Sequence, residues 1–351
     1  MSNPTMRVGV YAAPGKLAVQ SRPIPQPAPG EVLLRVRACG ICGSDLHVLH
    51  ADPPLAPAGR TLGHEMAGTI AALGEGVSGY QTGEAVVVEP LLTCGVCNCC
   101  KNGWDSICPQ MQILGVHTDG AFADYLCVPA HRLYRMPSEV DFRTASLTEP
   151  VAVAVHGLRR AQFQPGQRLL VLGAGVIGLS VVAVARAWGA GEILLTARHS
   201  HQAELGRRMG ANVVLSEKES TLEALTALGL ENPVDMVAET VGGKSNTLML
   251  AGAALAPGGT VLVLGINFAP IPINAFSFLN KEARLQWSNC YYSRYPGGSD
   301  FAESLRLIRE HRSVFGQMLT HCVPLEEVDR GAALASDKKS GSVKVTVMME
   351  P

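Results

Sequence analysis

The amino-acid sequence predicts an α/β protein with two domains, a mostly β domain followed by a domain with a doubly wound parallel sheet. The chain has 351 residues, which exceeds what a single hydrophobic core usually supports. Its first half contains short β-like runs separated by glycine and proline, such as EVLLRVRACG, EMAGTIAALG and EAVVVEP. From about residue 150, apolar strands alternate with helical segments of roughly 10–15 residues, which is typical of βαβ units.

The second half predicts its elements one after another. RLLVL is a strand, VIGLSVVAVARAWGA a helix, EILLTAR a strand, HQAELGRRMG a helix and ANVVL a strand. VDMVAETVG, a helical TLMLAGAALAPGG and the strand TVLVLGI follow, and the alternation stops after about residue 288. The helix FAESLRLIREH and the strand SVKVTVMM then close the chain. We therefore expect domains over 1–151 and 152–288, with a segment 289–351 that returns to the first domain.

The charge and hydropathy patterns exclude several classes of partner. The chain has 29 basic and 30 acidic residues and no basic block, so we expect neither a nucleic-acid nor a membrane partner. The start MSNPTMRVGVYAAPGK lacks the apolar region of a signal peptide. The most apolar stretch, LLVLGAGVIGLSVVAVARAWG, is interrupted by glycines and Arg186. The ten cysteines are expected to be reduced, and the expected compartment is the cytoplasm.

Four cysteines predict a structural zinc site in a lobe over about residues 90–110. Cys94, Cys97, Cys100 and Cys108 form a C-x2-C-x2-C-x7-C run, and four thiolates so close in sequence can converge on a tetrahedral Zn²⁺. Four ordinary thiols are the alternative. Cys99 lies off the spacing and is interpreted as a bystander. A closed site of four cysteines leaves no position for substrate, so the chemistry must lie elsewhere.

A glycine motif predicts a dinucleotide site. Gly173, Gly175 and Gly178, with Val176 and Ile177 between the last two, form a G-x-G-x-x-G that follows the strand RLLVL and opens a helix. The first glycine permits the tight turn, the second admits a pyrophosphate, and the third allows close packing of helix and strand. The free N–H groups of the helix N-terminus favour an anion. The alternative is a glycine turn needed only for packing.

The end of the next strand favours NADP(H) over NAD(H). About 20 residues after the glycines, an acidic residue normally accepts from the ribose of NAD, whereas an arginine suits the 2′-phosphate of NADP. Here Ala197 and Arg198 occupy this position, so a guanidinium replaces the carboxylate. His199, Ser200 and Arg207 are candidate auxiliaries. The alternative is that Arg198 is a solvated arginine at a strand end.

A second metal site is suggested by Cys42 and His64. A catalytic zinc keeps three protein ligands and one open position, and Glu149 in LTEPVAVAVHG is a candidate for the third ligand. Each residue taken alone has a structural alternative: a buried thiol, a core histidine and a carboxylate at a helix start.

Five motifs occur in one order along the chain: CGICGSDLH, GHEMAG, the four-cysteine run, TEPVAVAVHG and GAGVIG. Together they resemble the zinc-dependent medium-chain alcohol and polyol dehydrogenases over essentially the whole chain. The resemblance implies a GroES-like catalytic domain and a Rossmann cofactor domain. It also implies one catalytic zinc held by Cys42, His64 and Glu149, and one structural zinc held by the four cysteines.

The resemblance assigns further roles. Glu149 stands where other alcohol dehydrogenases have a cysteine, which is similar to the sorbitol, threonine and sugar-acid dehydrogenase branch. Glu65 resembles a transient ligand that exchanges with water, and Asp45 resembles the carboxylate that orients the zinc-bound histidine. Ser44 resembles the hydroxyl that contacts the substrate oxygen, and His47 resembles the outer base of the proton route.

The expected reaction is hydride transfer between NAD(P)(H) and a secondary alcohol of a polyol, sugar or sugar acid. Arg294, Tyr292 and Tyr295 are candidate substrate contacts, or simply loop and packing residues. The runner-up is an NADPH-dependent reductase of simple aliphatic or aromatic aldehydes. A zinc-free quinone or enone reductase and a non-catalytic NADP-binding sensor or scaffold are the remaining alternatives. By the same resemblance we expect a homodimer or homotetramer, with TVLVLGINFAPIPI as a candidate sheet edge.

Overall fold

The computed structural model describes residues 4–243, 245–294 and 298–349. The strands are β1 Thr5–Ala13, β2 Lys16–Pro23, β3 Glu31–Gly40, β4 Glu65–Leu73, β5 Ala85–Val88, β6 Leu91–Leu92, β7 Gln112–Ile113, β8 Tyr125–Pro129, β9 Leu133–Arg135, β10 Arg168–Leu172, β11 Glu192–Thr196, β12 Val213–Leu215, β13 Val234–Glu239, β14 Leu255–Val263, β15 Arg284–Trp287, β16 Leu319–Pro324 and β17 Lys344–Met348. The helices are α1 Gly43–His50, α2 Asn98–Lys101, α3 Phe142–Ala145, α4 Thr148–Arg160, α5 Val176–Ala187, α6 Ser200–Met209, α7 Leu222–Glu231, α8 Thr247–Ala251, α9 Ala275–Asn280, α10 Asp300–Glu310, α11 Arg312–Phe315 and α12 Val328–Ser336.

The chain divides into two compact units. One comprises the residues up to Glu149 together with Ser293–Arg312 and the chain from Leu319 onward, and the other comprises Pro150–Tyr292 and Ser313–Met318. The segment 289–351 therefore does not return to the first unit as a whole. The short piece 313–318 belongs to the second unit, where the buried Met318 Sδ accepts from Ser180 Oγ at 3.9 Å.

The first unit is mostly antiparallel β structure, as the short β-like runs predict. Its main sheet has the strand order β16-β17-β3-β4-β5-β9, and β8 pairs with β3 beside this path. The long strand β3 spans the predicted run EVLLRVRACG and pairs at its end with β17, near the C-terminus of the chain. Two small two-stranded sheets, β1-β2 and β6-β7, complete the unit. The pairing of β17 with β3 brings residues of the C-terminal strand close to the start of α1.

The second unit is a doubly wound parallel sheet with the strand order β12-β11-β10-β13-β14-β15, and the predicted fold class is confirmed. The strands of its centre, β10 and β13, are almost completely buried, and their near-continuous apolar runs reflect burial on both faces. The order of strands reverses between β10 and β13, and the crevice beyond their carboxyl ends is where such sheets bind ligands.

The structure of this unit differs from the sequence-based expectations in two places. The helix expected over TLMLAGAALAPGG ends at Ala251, because Gly252, a poor helix former, follows it and β14 already begins at Leu255. The run TVLVLGINFAPIPI does not form the sheet edge, because the chain returns after it and adds β15 outside β14. Among the described residues, no helix is both long enough and apolar enough to cross a bilayer.

Candidate active site and structural metal centre

The four cysteines of the predicted lobe converge in the structure. Cys94, Cys97, Cys100 and Cys108 bring their sulfurs to within 3.5–3.9 Å along four of their mutual contacts. A tetrahedral zinc with Zn–S bonds of about 2.3 Å requires sulfurs about 3.8 Å apart. The four thiols therefore fit a Zn²⁺ ion.

The backbone of this lobe favours thiolates. The N–H groups of Val96 and Cys97 lower the pKa of Cys94 to about 6, and the N–H of Cys100 points to the sulfur of Cys97 at 3.5 Å. Hydrogen bonds that stabilise the charged form of a thiol prepare it for metal binding, since the thiolate is the ligand.

A second group combines one thiol, one imidazole and one carboxylate. The ligand atoms of Cys42, His64 and Glu65 all lie within 4.8 Å of one another. Cys42 directly precedes α1, and His64 and Glu65 stand at the start of β4. His64 and Glu65 are buried and Cys42 is half-buried. This mixed sulfur, nitrogen and oxygen donor set suits zinc.

Asp45 orients this group. Its Oδ2 accepts from the N–H of Cys42 at 2.8 Å, and its Oδ1 accepts from the N–H of Gly63 at 3.2 Å. Oδ1 also lies 3.5 Å from His64 Nδ1, at the limit of hydrogen-bond range. The opposite nitrogen, Nε2, lies 3.3 Å from Ser44 Oγ and is the one free to ligate a metal.

The charges around His64 make metal binding compete with a proton. Burial lowers the pKa of His64, but the charges of Asp45 and Cys42 raise it well above its ordinary value. A metal ligand must be the neutral imidazole. A metal bound at Nε2 would therefore compete with a proton.

Glu65 is held by a buried lysine. Lys344 Nζ lies 2.6 Å from both carboxylate oxygens of Glu65 and 3.0 Å from the carbonyl oxygen of Ile41. Burial lowers the pKa of Lys344, but Glu65, Cys42 and Glu149 raise it above its ordinary value. In this arrangement the carboxylate of Glu65 belongs to an ion pair with Lys344.

Glu149, the expected third ligand, is not a member of the group within 4.8 Å. It lies at the start of α4, is 7% exposed, and is close enough for its charge to act on Lys344. The structure thus brings Cys42 and His64 together with Glu65. The role of Glu149 as a ligand, which the sequence resemblance implies, stays a prediction. His47 lies on the exposed side of α1, one turn after Ser44.

The glycine motif forms the predicted turn between β10 and α5. Gly173 has a φ of 103°, which favours glycine, and its N–H donates to Thr196 Oγ1 at 2.9 Å. A Cβ on Gly178 would lie 1.9 Å from the carbonyl oxygen of Gly173, so only glycine permits this packing. A Cβ on Gly175 would meet nothing within 4 Å, which leaves room for a pyrophosphate. Val176 and Ile177 begin α5, whose N–H groups face that space.

β11 pairs in parallel with β10, the strand that leads into the glycine turn. Ala197 is buried, whereas Arg198 is exposed and its guanidinium lies 3.4 Å from the carboxylate of Glu217. Both side chains of that pair are about 70% exposed (72% and 71%), so the pair constrains the guanidinium weakly.

The remaining candidates are dispersed. Tyr292 is buried and packs against His156, with ring centroids 4.3 Å apart. Arg294 packs against the cysteine lobe, because a Cβ on Gly103 would lie 2.5 Å from its Cβ. Tyr295 lies outside the described residues.

Lys344 is the residue that the sequence analysis missed. Its signal was a charged residue within the apolar run SVKVTVMM, since a buried strand seldom contains an unpaired lysine. Its partner Glu65 is far away in sequence, and no local pattern connects the two.

A Rossmann sheet with a glycine turn, together with a sulfur–nitrogen–oxygen metal group, defines a zinc-dependent oxidoreductase that uses a nicotinamide cofactor. Two family models support this class: the alcohol dehydrogenase GroES-like domain matches residues 28–138, and the zinc-binding dehydrogenase domain matches residues 176–310. The chain belongs to the zinc-dependent medium-chain dehydrogenases, in their polyol and sugar-acid branch.

Curated relatives resemble the chain over nearly its full length. The sorbitol dehydrogenase of Bacillus subtilis (strain 168) is 32% identical and covers 97% of both chains. The L-galactonate-5-dehydrogenase of Escherichia coli (strain K12) is 32% identical, over 91% of this chain and 92% of its own.

Two solved structures with bound cofactor share the fold. A protein from Sinorhizobium meliloti 1021, described as a zinc-binding dehydrogenase bound to NADP, has a TM-score of 0.88 and 28% identity, covering 99% of this chain and all of its own. An alcohol dehydrogenase from Escherichia coli CFT073 in complex with NADH has a TM-score of 0.89 and 26% identity, covering 98% and 99%. The same architecture therefore accepts either nicotinamide cofactor.

Proposed function

We propose that this dehydrogenase transfers hydride between NADP(H) and a secondary alcohol of a polyol, sugar or sugar acid. The observation that carries the proposal is the convergence of Cys42 and His64 in one group that could hold a metal, with Ser44 Oγ 3.3 Å from His64 Nε2. The relatives named for sorbitol and L-galactonate support the polyhydroxylated class of substrate.

Two ions per chain belong to the proposal. Cys42, His64 and Glu149 would hold the catalytic zinc, and the four cysteines of the lobe would hold the structural one. When bound, the catalytic zinc supplies a Lewis acid that lowers the pKa of a substrate hydroxyl, and the nicotinamide supplies the hydride acceptor. None of the ten cysteines, all within the described residues, forms a disulfide. Reduced thiols support our further proposal that the protein works in the cytoplasm.

Ser44, His47 and Asp45 are the residues that we place on or beside the proton's route from the substrate hydroxyl to water. Ser44 Oγ is positioned to accept a hydrogen bond from the substrate hydroxyl, because it stands beside the metal-facing nitrogen. His47 follows one turn later on the exposed side of α1, where it can exchange a proton with water. Asp45 Oδ1 faces the opposite nitrogen, Nδ1, at 3.5 Å, and a small approach of the two would favour the tautomer that ligates through Nε2.

Glu65 and Glu149 have different roles at the catalytic metal in this proposal. We infer that Lys344 retains Glu65 in an ion pair while Glu149 completes the ligand set. A variant series tests this division by metal analysis. Glu149→Gln should lower the catalytic zinc content, whereas Glu65→Gln should leave about one catalytic zinc per chain. The reverse result would make Glu65 the ligand. Cys42→Ser is the positive control, and it should abolish oxidation while NADP(H) binding stays measurable.

The cofactor preference rests on Arg198 and on the lack of a carboxylate at the end of β11. The preference for NADP(H) belongs to this proposal and not to the family, because one structural neighbour contains NADP and another NADH.

A substrate panel tests the reaction. Polyols, sugar acids, and simple aliphatic and aromatic alcohols are each assayed with NADP⁺ and NAD⁺, before and after chelation and after zinc is restored. The proposal expects the highest kcat/KM with a polyhydroxylated secondary alcohol and NADP⁺, lost on chelation and regained with zinc. Highest activity with simple aldehydes and NADPH would replace it with the runner-up function. Activity that survives complete zinc removal would refute the catalytic metal.

We also propose that the protein forms a homodimer or homotetramer, with β15 as the contact. This strand is one of the two edges of the parallel sheet, and an edge strand can pair with another chain. Trp287 on this strand is exposed, and so are five large apolar side chains that precede it in the chain: Ile266, Phe268, Ile273, Phe276 and Leu279. Trp287→Glu should shift the mass measured by light scattering to that of a smaller species. Val213→Glu, at the opposite edge in β12, is the control and should leave the mass unchanged.

A further inference from the structure

A buried carboxylate at the end of β13 lies outside both the cysteine lobe and the group of Cys42, His64 and Glu65. Glu239 is the last residue of that strand and is 1% exposed. It stands at the centre of the parallel sheet, on the side where the glycine turn follows β10. A buried carboxylate beside an anion-binding turn opposes the binding of a pyrophosphate. We therefore expect Glu239 to contribute to cofactor binding in a way that outweighs this repulsion.

One oxygen of Glu239 is saturated by its own loop. Oε1 accepts from the N–H of Val241 at 2.8 Å, from the N–H of Gly242 at 3.0 Å and from Thr247 Oγ1 at 2.7 Å. Hydrogen bonds to a charged acceptor are stronger than those between neutral groups. The carboxylate therefore fixes the conformation of residues 240–242, which directly follow β13.

The first two of these residues pack directly against the glycine turn. Thr240 Oγ1 donates to the carbonyl oxygens of Leu172 and Gly173, at 2.9 and 3.2 Å. A Cβ on Gly173 would lie 2.7 Å from Val241 Cγ2, and a Cβ on Gly178 would lie 2.8 Å from Thr240 Oγ1. Thr240 and Val241 thus contact the first and third glycines of the motif.

The second oxygen of Glu239, Oε2, lies against Gly265, just after the end of β14. A Cβ on Gly265 would lie 2.3 Å from Oε2, and the N–H groups of Leu264 and Gly265 donate to the carbonyl oxygen of Glu239 at 2.8 and 3.1 Å. The glycine at 265 leaves just the space that this carboxylate fills. Glu239 is therefore packed on both sides and cannot move without displacing the loop.

We propose that Glu239 is a positioning residue for the dinucleotide. It holds residues 240–242 against the glycine turn and so fixes the conformation of the turn that receives the pyrophosphate. The inference rests on nicotinamide-cofactor binding alone, and neither the substrate nor the preference for NADP(H) enters it. Since both cofactors carry the same pyrophosphate, the effect is the same for both.

Equilibrium binding to the zinc-loaded protein tests this role. Glu239→Gln keeps the size of the side chain and one acceptor oxygen but removes the charge. Titrations with NADPH and NADH, followed by cofactor fluorescence, should give dissociation constants about tenfold higher for each cofactor. Glu231→Gln, an exposed carboxylate at the end of α7 in the same unit, is the matched control and should leave both constants unchanged.

Thr247→Val provides a second variant that leaves the charge in place. It removes one donor to Oε1 and should raise both dissociation constants about threefold, so the proposal stays testable if Glu239→Gln does not fold. Constants within twofold of the parent for both variants would overturn the proposal. A lower melting temperature with unchanged constants would likewise overturn it, since Glu239 would then serve stability only. An effect on NADPH alone would place the role at the 2′-phosphate and would also refute it.

Discussion

Lys344 Nζ lies 2.6 Å from each carboxylate oxygen of Glu65, and the two side chains are 2% and 1% exposed. β17 carries the lysine and β4 the glutamate, and both strands pair with β3. The pair is therefore assembled by the sheet of the first unit. It neutralises a carboxylate that would otherwise stand uncompensated beside Cys42 and His64.

Removal of one member of this pair should destabilise the protein. Lys344→Met leaves the buried carboxylate of Glu65 without its partner, and we expect the free energy of unfolding to fall by about 3–5 kcal/mol. Urea denaturation measures the change, with the exposed Lys339→Met as control. The double variant Glu65→Gln/Lys344→Met should regain most of the loss. A double variant no more stable than Lys344→Met would contradict the ion pair as the cause.

Arg198 should determine cofactor selectivity. Loss of a charge-assisted contact to the 2′-phosphate corresponds to about 1.5–3 kcal/mol, so Arg198→Ala should raise the KM for NADP(H) by roughly 10–100-fold. The KM for NAD(H) should change little, because NAD lacks that phosphate. Arg208→Ala is the matched control, since Arg208 is also an exposed arginine paired with a glutamate. Equal effects of Arg198→Ala on both cofactors would refute the assignment.

Glu89 should make stability fall as the pH rises. Burial raises the pKa of Glu89 from its ordinary 4.5 to about 7, although Arg132 and Tyr134 favour its charged form. Below pH 4.5 the carboxyl is protonated in the folded and the unfolded chain, and its stabilising contribution is complete. As the pH rises through 7, the folded protein must release a proton that it holds more tightly, and the contribution is lost.

The magnitude of this loss is about 3 kcal/mol for a shift of this size. Glu89→Gln removes the titration. The unfolding free energy of the parent minus that of the variant should therefore fall by about 3 kcal/mol between pH 4.5 and pH 8. Denaturation curves at several pH values measure this difference, with the exposed Glu75→Gln as control. A difference that stays constant with pH would show that Glu89 does not titrate in this range.

Asp105 anchors Ser293, the residue that directly follows Tyr292. Its Oδ2 accepts from the N–H of Ser293 at 3.0 Å and from Ser293 Oγ, and its Oδ1 lies 3.3 Å from a guanidinium nitrogen of Arg132. Asp105→Asn weakens these bonds because the amide carries no charge. We expect trypsin to cleave after Arg294 about tenfold faster in the zinc-loaded variant than in the parent.

Two controls separate local release from general unfolding. Cleavage after Arg208 in the second unit should keep its parental rate in Asp105→Asn. Asp119→Asn, which weakens comparable contacts to Thr61 and Arg22, should leave cleavage after Arg294 unchanged. Mass spectrometry of the fragments gives all three rates. Parental cleavage after Arg294 in Asp105→Asn would show that this carboxylate does not anchor the segment.

Features with a local pattern were predictable from the sequence. The four cysteines lie within fifteen residues, and their spacing predicts a cluster that the fold assembles with sulfurs 3.5–3.9 Å apart. The glycine motif combines strand, turn and helix in one short stretch, and Gly173 and Gly178 have the conformation and contacts that the motif requires. The alternation of strands and helices predicted the parallel sheet, since the period of the apolar residues is set by each element alone.

Element ends and sheet edges were less predictable. The helix α8 ends earlier than its apolar pattern suggests, because Gly252 follows it and Leu255 already belongs to a buried strand. The edge of the sheet is β15 and not the run that includes Thr260–Val263, because strand order depends on where the chain returns.

The sequence by itself determined the class of this protein: a cysteine lobe, a glycine turn and the residues Cys42 and His64 each follow from short-range spacing or from motifs. Only the tertiary structure decided which charges meet. Glu65 pairs with Lys344, Asp105 with Ser293, and Glu239 sits between the loop after β13 and Gly265. The first two of these contacts join residues far apart in the chain, and all three carboxylates are buried by the tertiary fold. Such contacts leave no periodic trace, because a buried charge is compatible with a sequence only when the fold supplies its partner.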